Sequence, residues 1–248
     1  SKTQFMNHGI SILCHREGYG AEKNAYAVVH KLSFCSNADL QIPNQRKNGY
    51  LYAMKNIVFD LGGVLFARDK NKSTQEFHEF FSFIRSERMP LFWEEYDRGA
   101  STLGEVTDIL ARTTGCPREK CERFLLLSID MQEPVAPTER LVGDLKAAGY
   151  RLYVLSNMSR EFIAFLRRFP VYRLFDGEVV SCEEGTVKPE PRIYEILLER
   201  YGLDPAETLF IDDRAANIAA AEGLGIAGYL FDHRNPAAAC DELRRRLL

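Results

Sequence analysis

The chain of 248 residues has room for one domain with an insertion or for two small domains, and its 46% hydrophobic and 27% charged residues are those of a globular protein with a real core. A formal net charge of -3 speaks against a nucleic-acid partner, whose binding domains usually carry a basic face, and no apolar run approaches the ~20 residues a membrane helix needs. The six cysteines (14, 35, 116, 121, 182 and 240) form no CxxC pair, and no histidine lies near Cys116 and Cys121, so reduced thiols of a cytoplasmic protein are expected rather than a zinc site.

Residues 1–53 differ from the rest. Six Lys/Arg against three Asp/Glu give this stretch +3 and leave the remainder at -6. Its short apolar patches at 10–13 and 25–32 keep no period, and it has no ordered sequence of basic, apolar and small-residue zones like a signal peptide. Met54 reads as a natural start, so 1–53 is expected to be an upstream extension or dispensable arm; an arm that packs on the domain or on a partner chain is the alternative. A buried strand follows at 57–59. Between it and the next strand, residues 68–136 carry helix signals and no strand signals. Phe77, Phe80, Phe81 and Ile84 recur at helical spacing, Thr102 with Glu105 forms a capping box, and Pro117 opens a further helix. Pro137 then opens a helix that Gly149 closes. Strand-like runs follow at 152–155 and 178–180, a helix from Pro191 to Tyr201, and Asp204-Pro205-Ala206-Glu207 as a second capping box. Strands at 209–211 and 226–230 and a helix over 236–248 complete the chain. The strands are continuous apolar runs alternating with helices, which predicts an α/β, doubly wound, mostly parallel Rossmann-like sheet covered on both faces. The insertion lies after the first strand, at the edge where such sheets bind ligands. The expected division is 54–67 with 137–248 as the core and 68–136 as a helical cap.

Four clusters sit at strand ends or in the loops that follow them. Phe59-Asp60-Leu61-Gly62-Gly63-Val64 puts a carboxylate at a strand tip before two glycines, which let backbone approach a ligand closely. Ser156 and Asn157 leave the second strand together and can donate to a phosphate, though both are common loop residues. Lys188 is followed by Pro189, Glu190 and Pro191, which stiffen the backbone, and a fixed ammonium suits a phosphoryl oxygen. Asp212 and Asp213 repel each other unless a cation sits beside them. Asn217 falls on the same helical face as Asp213, and hard oxygen ligands of this kind suit Mg²⁺.

In their joint order and spacing the four clusters resemble the haloacid dehalogenase superfamily of phosphotransferases over 55–248. The resemblance implies that Asp60 attacks phosphorus to form an aspartyl-phosphate and that Ser156 and Lys188 hold the transferring oxygens. It implies Mg²⁺ on Asp60, the Gly62 carbonyl and Asp213, with Asp212 adjacent, and substrate contacts at Gly62, Gly63 and Asn157. Residues 68–136 look like the superfamily's helical cap. Within them Tyr96-Asp97-Arg98-Gly99 is similar to a segment of cytoplasmic phosphatases acting on sugar 1-phosphates, with Arg98 on substrate; an ordinary surface pair is the alternative for Asp97 and Arg98. The expected partner is a small phosphorylated metabolite, with no nucleic acid and no membrane. Two alternatives stand beside the Mg²⁺-dependent phosphatase: a 2-haloacid dehalogenase, and a catalytically weak binding module. One departure matters. The family's usual second Asp, two residues after the nucleophile, is here Gly62, which moves no proton. Substrates are then expected to sort by leaving-group acidity unless another residue, such as Arg68 or Asp69, substitutes.

Overall fold

The computed structural model describes residues 54–85 and 89–248; the arm of 1–53 and the side chain of Ile84 lie outside the described residues. Strand β1 (Asn56–Phe59) alternates its side chains between two cores. Ile57 and Phe59 join one apolar cluster and Val58 the other, all three fully buried, because successive strand residues point to opposite faces. A short strand β2 (Phe66–Arg68) leads into the insertion, formed by α1 (Gln75–Phe80), α2 (Leu91–Asp97), α3 (Leu103–Thr114) and α4 (Arg118–Asp130). The chain returns along β3 (Gln132–Pro134) and continues as α5 (Ala136–Ala147), β4 (Arg151–Ser156), α6 (Arg160–Leu166), β5 (Gly177–Val180), α7 (Ser181–Glu184) and α8 (Pro191–Tyr201). It ends with β6 (Thr208–Asp212), α9 (Ala215–Gly223), β7 (Ala227–Leu230) and α10 (Pro236–Leu247).

The main sheet runs β5-β4-β1-β6-β7, and every neighbouring pair is parallel. The fold is therefore the doubly wound α/β sheet expected. Leu141 and Leu145 of α5, Ile163 of α6 and Leu243 of α10 cover one face, and Ile193, Leu197 and Ile218 of α8 and α9 the other. Each such side chain, once buried, contributes about 1.5–3 kcal/mol. The insertion has a separate aromatic core of Phe77, Phe81, Trp93, Tyr96 and Phe124, to which α6 adds Phe162.

Two details differ from the sequence reading. The insertion is not free of strands: β3 pairs antiparallel with β2, Phe66 opposite Pro134. The sequence Gln-Glu-Pro gives no strand signal, and the pairing is imposed by flanking bonds, Asp69 N to Met131 O at 2.8 Å and Val135 N to Leu65 O at 2.8 Å. Asp204 does accept a bond from Ala206 N at 2.9 Å, but it caps only the 3-10 turn Pro205–Glu207, because β6 takes over at Thr208. Pro117 opens α4 as expected, standing at its N-cap. The Thr102 box is present in full, with Glu105 accepting from Thr102 N at 2.8 Å.

Candidate active site

Parallel packing brings the carboxyl ends of β1, β4 and β6 side by side, so Asp60, Ser156 and Asp212 meet although 152 residues separate the first from the last. Lys188 reaches them from the loop between α7 and α8. Its ammonium lies 2.9 Å from Asp60 Oδ1 and 2.7 Å from Asp212 Oδ2, with its side chain 1% exposed, and it donates to Leu155 O at 2.9 Å. Asp60 Oδ1 also accepts from Ser156 Oγ at 2.9 Å and from Leu61 N at 2.7 Å. Asp60 Oδ2 accepts no hydrogen bond among the described residues. One oxygen is thus held by three donors while the other stays available.

Asp212 is saturated. Its oxygens take Lys188 Nζ, Arg214 N at 2.7 Å and the Asn217 amide at 3.1 and 3.0 Å. Asn217 therefore turns its amide NH2 to Asp212 and not to Asp213. Asp213 is more open, its side chain 19% exposed and its Oδ2 3.3 Å from His233 Nδ1.

Three carboxylates face a single buried ammonium. Burial pushes Asp60 up to about 7; Lys188 opposes the shift, and Asp212 and Asp213 add to it. Asp213 is raised by burial and then by Asp212, against Arg214 and Lys188. Burial alone would lower Lys188, but Asp212 and Asp60 outweigh it and hold it above the ordinary lysine value. The surplus negative charge is what a divalent cation would neutralise. Asp60, Asp212 and Asp213 each offer an oxygen within 4.8 Å of the others, a hard-oxygen set that fits Mg²⁺.

The glycines divide. Gly63 has φ +78°, and a Cβ there would stand 2.5 Å from Asp213 Oδ2, so only glycine lets this carboxylate close on the loop. Gly62 has open space around the same position and no such φ.

Asn157 and Arg98, both expected on substrate, are turned to other partners. The Asn157 amide donates to Lys188 O at 2.9 Å and accepts from Lys188 N at 2.7 Å, so it fixes the lysine's backbone. Arg98 grips Glu190 through two bonds, 3.0 and 2.6 Å, and Glu94 at 2.9 Å. That grip holds Glu190 down to about 2, helped by Thr186. Arg68 stacks over Phe77 and Phe81, and Asp69 accepts from Asn71 N.

The sequence reading passed over Arg214 and His233, which stand beside the acidic cluster, and gave Asp97 no chemical part. Arg214 and His233 carry no local signal, since each is an ordinary polar residue in the loop after a strand. Asp97 had a signal, its place in the Tyr96-Asp97-Arg98-Gly99 segment.

Comparison with known proteins agrees with this geometry. A family model for haloacid dehalogenase-like hydrolases matches residues 54–225, and the chain belongs to that family. The sesquiterpene phosphatase astK of Aspergillus oryzae is 31% identical over 194 residues, 77% of this chain and 95% of its own. The D-ribitol-5-phosphate phosphatase of Bacteroides thetaiotaomicron is 27% identical, covering 69% of this chain and 89% of its own. Among solved structures, a HAD family enzyme of the same bacterium, an aspartate-to-alanine variant with magnesium and inorganic phosphate, superposes with a TM-score of 0.59 at 25% identity, over 73% of this chain and 95% of its own.

Proposed function

We propose that the protein is a Mg²⁺-dependent phosphomonoester hydrolase that works through a phosphorylated Asp60 on a small phosphorylated metabolite. The observation that carries the reading is the asymmetric Asp60 carboxylate, one oxygen fixed by Ser156, Lys188 and Leu61 N and the other without a partner among the described residues. A carboxylate so oriented is ready to attack, and phosphoryl transfer needs positioning and charge neutralisation above all. Asp60, Asp213 and the Gly62 carbonyl would hold Mg²⁺, with Asp212 alongside. When bound, the cation supplies positive charge beside the phosphoryl oxygens. Lys188 supplies the second positive charge, and its saturation by buried acids keeps it ionised. Ser156 Oγ can turn from Asp60 to a phosphoryl oxygen once the group arrives. Asn157 and Asp212 hold Lys188 in register from both ends.

Two relatives are named for acting on a sesquiterpene and on D-ribitol 5-phosphate; between such unlike compounds the phosphate is the shared feature, and this supports a phosphatase over a dehalogenase. The free thiols Cys116, Cys121, Cys182 and Cys240 fit the cytoplasmic setting proposed for it. Asp60→Asn tests the reading. It keeps the shape and removes the nucleophile, so turnover of an aryl phosphate in Mg²⁺ should fall at least about 10⁴-fold, in line with loss of a covalent nucleophile, and the parent's acid-stable mass increase from phosphorylation should vanish. Turnover at the parent's rate would refute the covalent role.

A further inference from the structure

The reaction assigned to Asp60 lacks a proton carrier at Gly62, and a carboxyl from the insertion stands nearby. Asp97 closes α2, and each residue of Tyr96-Asp97-Arg98-Gly99 is anchored to the α/β core. Tyr96 OH donates to Glu161 at 2.8 Å. Ser181 Oγ donates to Asp97 O, while accepting from Met158 N at 2.9 Å. Arg98 is bound by Glu190. Gly99 has φ +77° and packs so tightly on Cys182 that a Cβ would lie 2.4 Å from its carbonyl. Four consecutive anchors fix where the Asp97 carboxyl stands. That carboxyl has no hydrogen-bond or ion-pair partner among the described residues, although it is half-buried. A half-buried carboxyl without a partner incurs a desolvation cost that the fold does not recover, yet four contacts hold it there. The charges acting on it are those of the site itself: Arg214, Asp60 and Lys188, with Glu94.

We propose that Asp97 is a catalytic residue that moves the proton Gly62 cannot; the proposal rests on the reading of Asp60 as nucleophile. In the first step an Asp60 oxygen bonds to phosphorus as the ester P–O bond breaks. The electron pair goes to the leaving oxygen, which takes the Asp97 proton and departs as the alcohol. In the second step water bonds to phosphorus and yields its proton to the Asp97 carboxylate. The Asp60–phosphorus bond breaks, and inorganic phosphate leaves with Asp97 again protonated. Its state suits both steps: burial pushes Asp97 up to about 7, with Arg214 opposing and Asp60 adding, and an acid–base group works best near ambient pH. Arg68 and Asp69 are occupied inside the insertion. His233 pairs with Asp213 and is the rival for the role.

The experiment measures single-turnover phosphorylation and steady-state release in Mg²⁺ buffer with 4-nitrophenyl, phenyl and benzyl phosphate. The proteins are the parent, Asp97→Asn, His233→Gln, Gly62→Asp and the double variant. The parent should show a shallow dependence on leaving-group acidity. In the phosphorylation step Asp97→Asn should stay within about 10-fold of it on 4-nitrophenyl phosphate and fall about 10²–10⁴-fold on benzyl phosphate, while slowed release with 4-nitrophenyl phosphate lets phosphorylated Asp60 accumulate by mass. Adding Gly62→Asp to Asp97→Asn should restore the shallow slope, since that position has room for a side chain. Equal losses across the series with no accumulated phosphoenzyme, no loss at all, or the same signature from His233→Gln would overturn the role of Asp97. A steep slope in the parent that Gly62→Asp alone flattens would overturn it independently of how well Asp97→Asn folds. A parent that forms no phosphoenzyme would instead strike the reading of Asp60 itself.

Discussion

Two adjacent glycines carry opposite constraints. Gly63→Ala puts a methyl group 2.5 Å from Asp213 Oδ2 at φ +78°, and such a backbone costs an ordinary residue about 1–3 kcal/mol. Asp213 must move away, so Mg²⁺ affinity measured by calorimetry should drop at least about 10-fold. Gly62→Ala, with open space and an unexceptional φ, should bind the metal as the parent does. Equal affinities for both variants would contradict the packing of Asp213 on the loop. A second consequence concerns charge. The folded Asp60 carboxyl titrates near 7 where the unfolded one titrates near 3.8. Over that window the folded state holds more protons, so without metal Asp60 makes stability fall as pH rises from about 4 to about 7. Asp60→Asn removes this slope while keeping an oxygen for Ser156 and Lys188. At pH 7.5 and without Mg²⁺ the inactive variant should therefore melt about 2–4 °C above the parent, a gain of about 1 kcal/mol, and at pH 4 the two should converge. A variant that melts below the parent at both pH values would show that the carboxylate is favourable in the folded state even without a cation.

Elements differ in how openly the sequence declares them. The capping box at Thr102 was legible because it is a local bond pattern, and it has a local cost: Thr102→Ala should lose about 1 kcal/mol, read as a Tm lower by about 2–4 °C. An unchanged melt would mean that the cap leaves the cooperative unit before it unfolds. The central strands β1, β4 and β6 were legible because each is an apolar run buried on both faces, and the site carboxylates because they stand at the ends of such runs. What was not legible depends on direction or on distant pairing. The pattern places Asn157 and Arg98 near the site, but which way a side chain turns is decided by partners such as Lys188 O and Glu190. The spacing puts Asn217 on one helical face with Asp213, but the helix begins only at Ala215, so Asp213 lies before it and the Asn217 amide goes to Asp212. The ribbon of β2 and β3 has no period to read, since the pairing of segments 66 residues apart supplies it.

At the scale of the molecule, the family match begins at residue 54, where β1 enters the middle of the sheet. A chain beginning at Met54 should therefore fold and turn over aryl phosphate within about 3-fold of the full chain, because the family match and every site residue lie from residue 54 onward. Insolubility or loss of activity would assign the arm a structural part.

The ribbon that joins insertion to core also bears on how such an enzyme changes over evolution. Because β2 and β3 lie hydrogen-bonded together, the two ends of the insertion meet at the same point of the core. The intervening sequence can be lengthened, shortened or replaced at a closure cost that grows only with the logarithm of its length. In a relative with its acid two residues after the nucleophile, such an exchange would alter substrate choice and leave the chemistry behind. Here, with Asp97 assigned the proton, the exchanged piece carries a reacting group. A lineage built on this chain inherits selectivity and proton delivery together, and a transplanted cap without that carboxyl would need an acid to reappear at Gly62 before it could work on a poor leaving group.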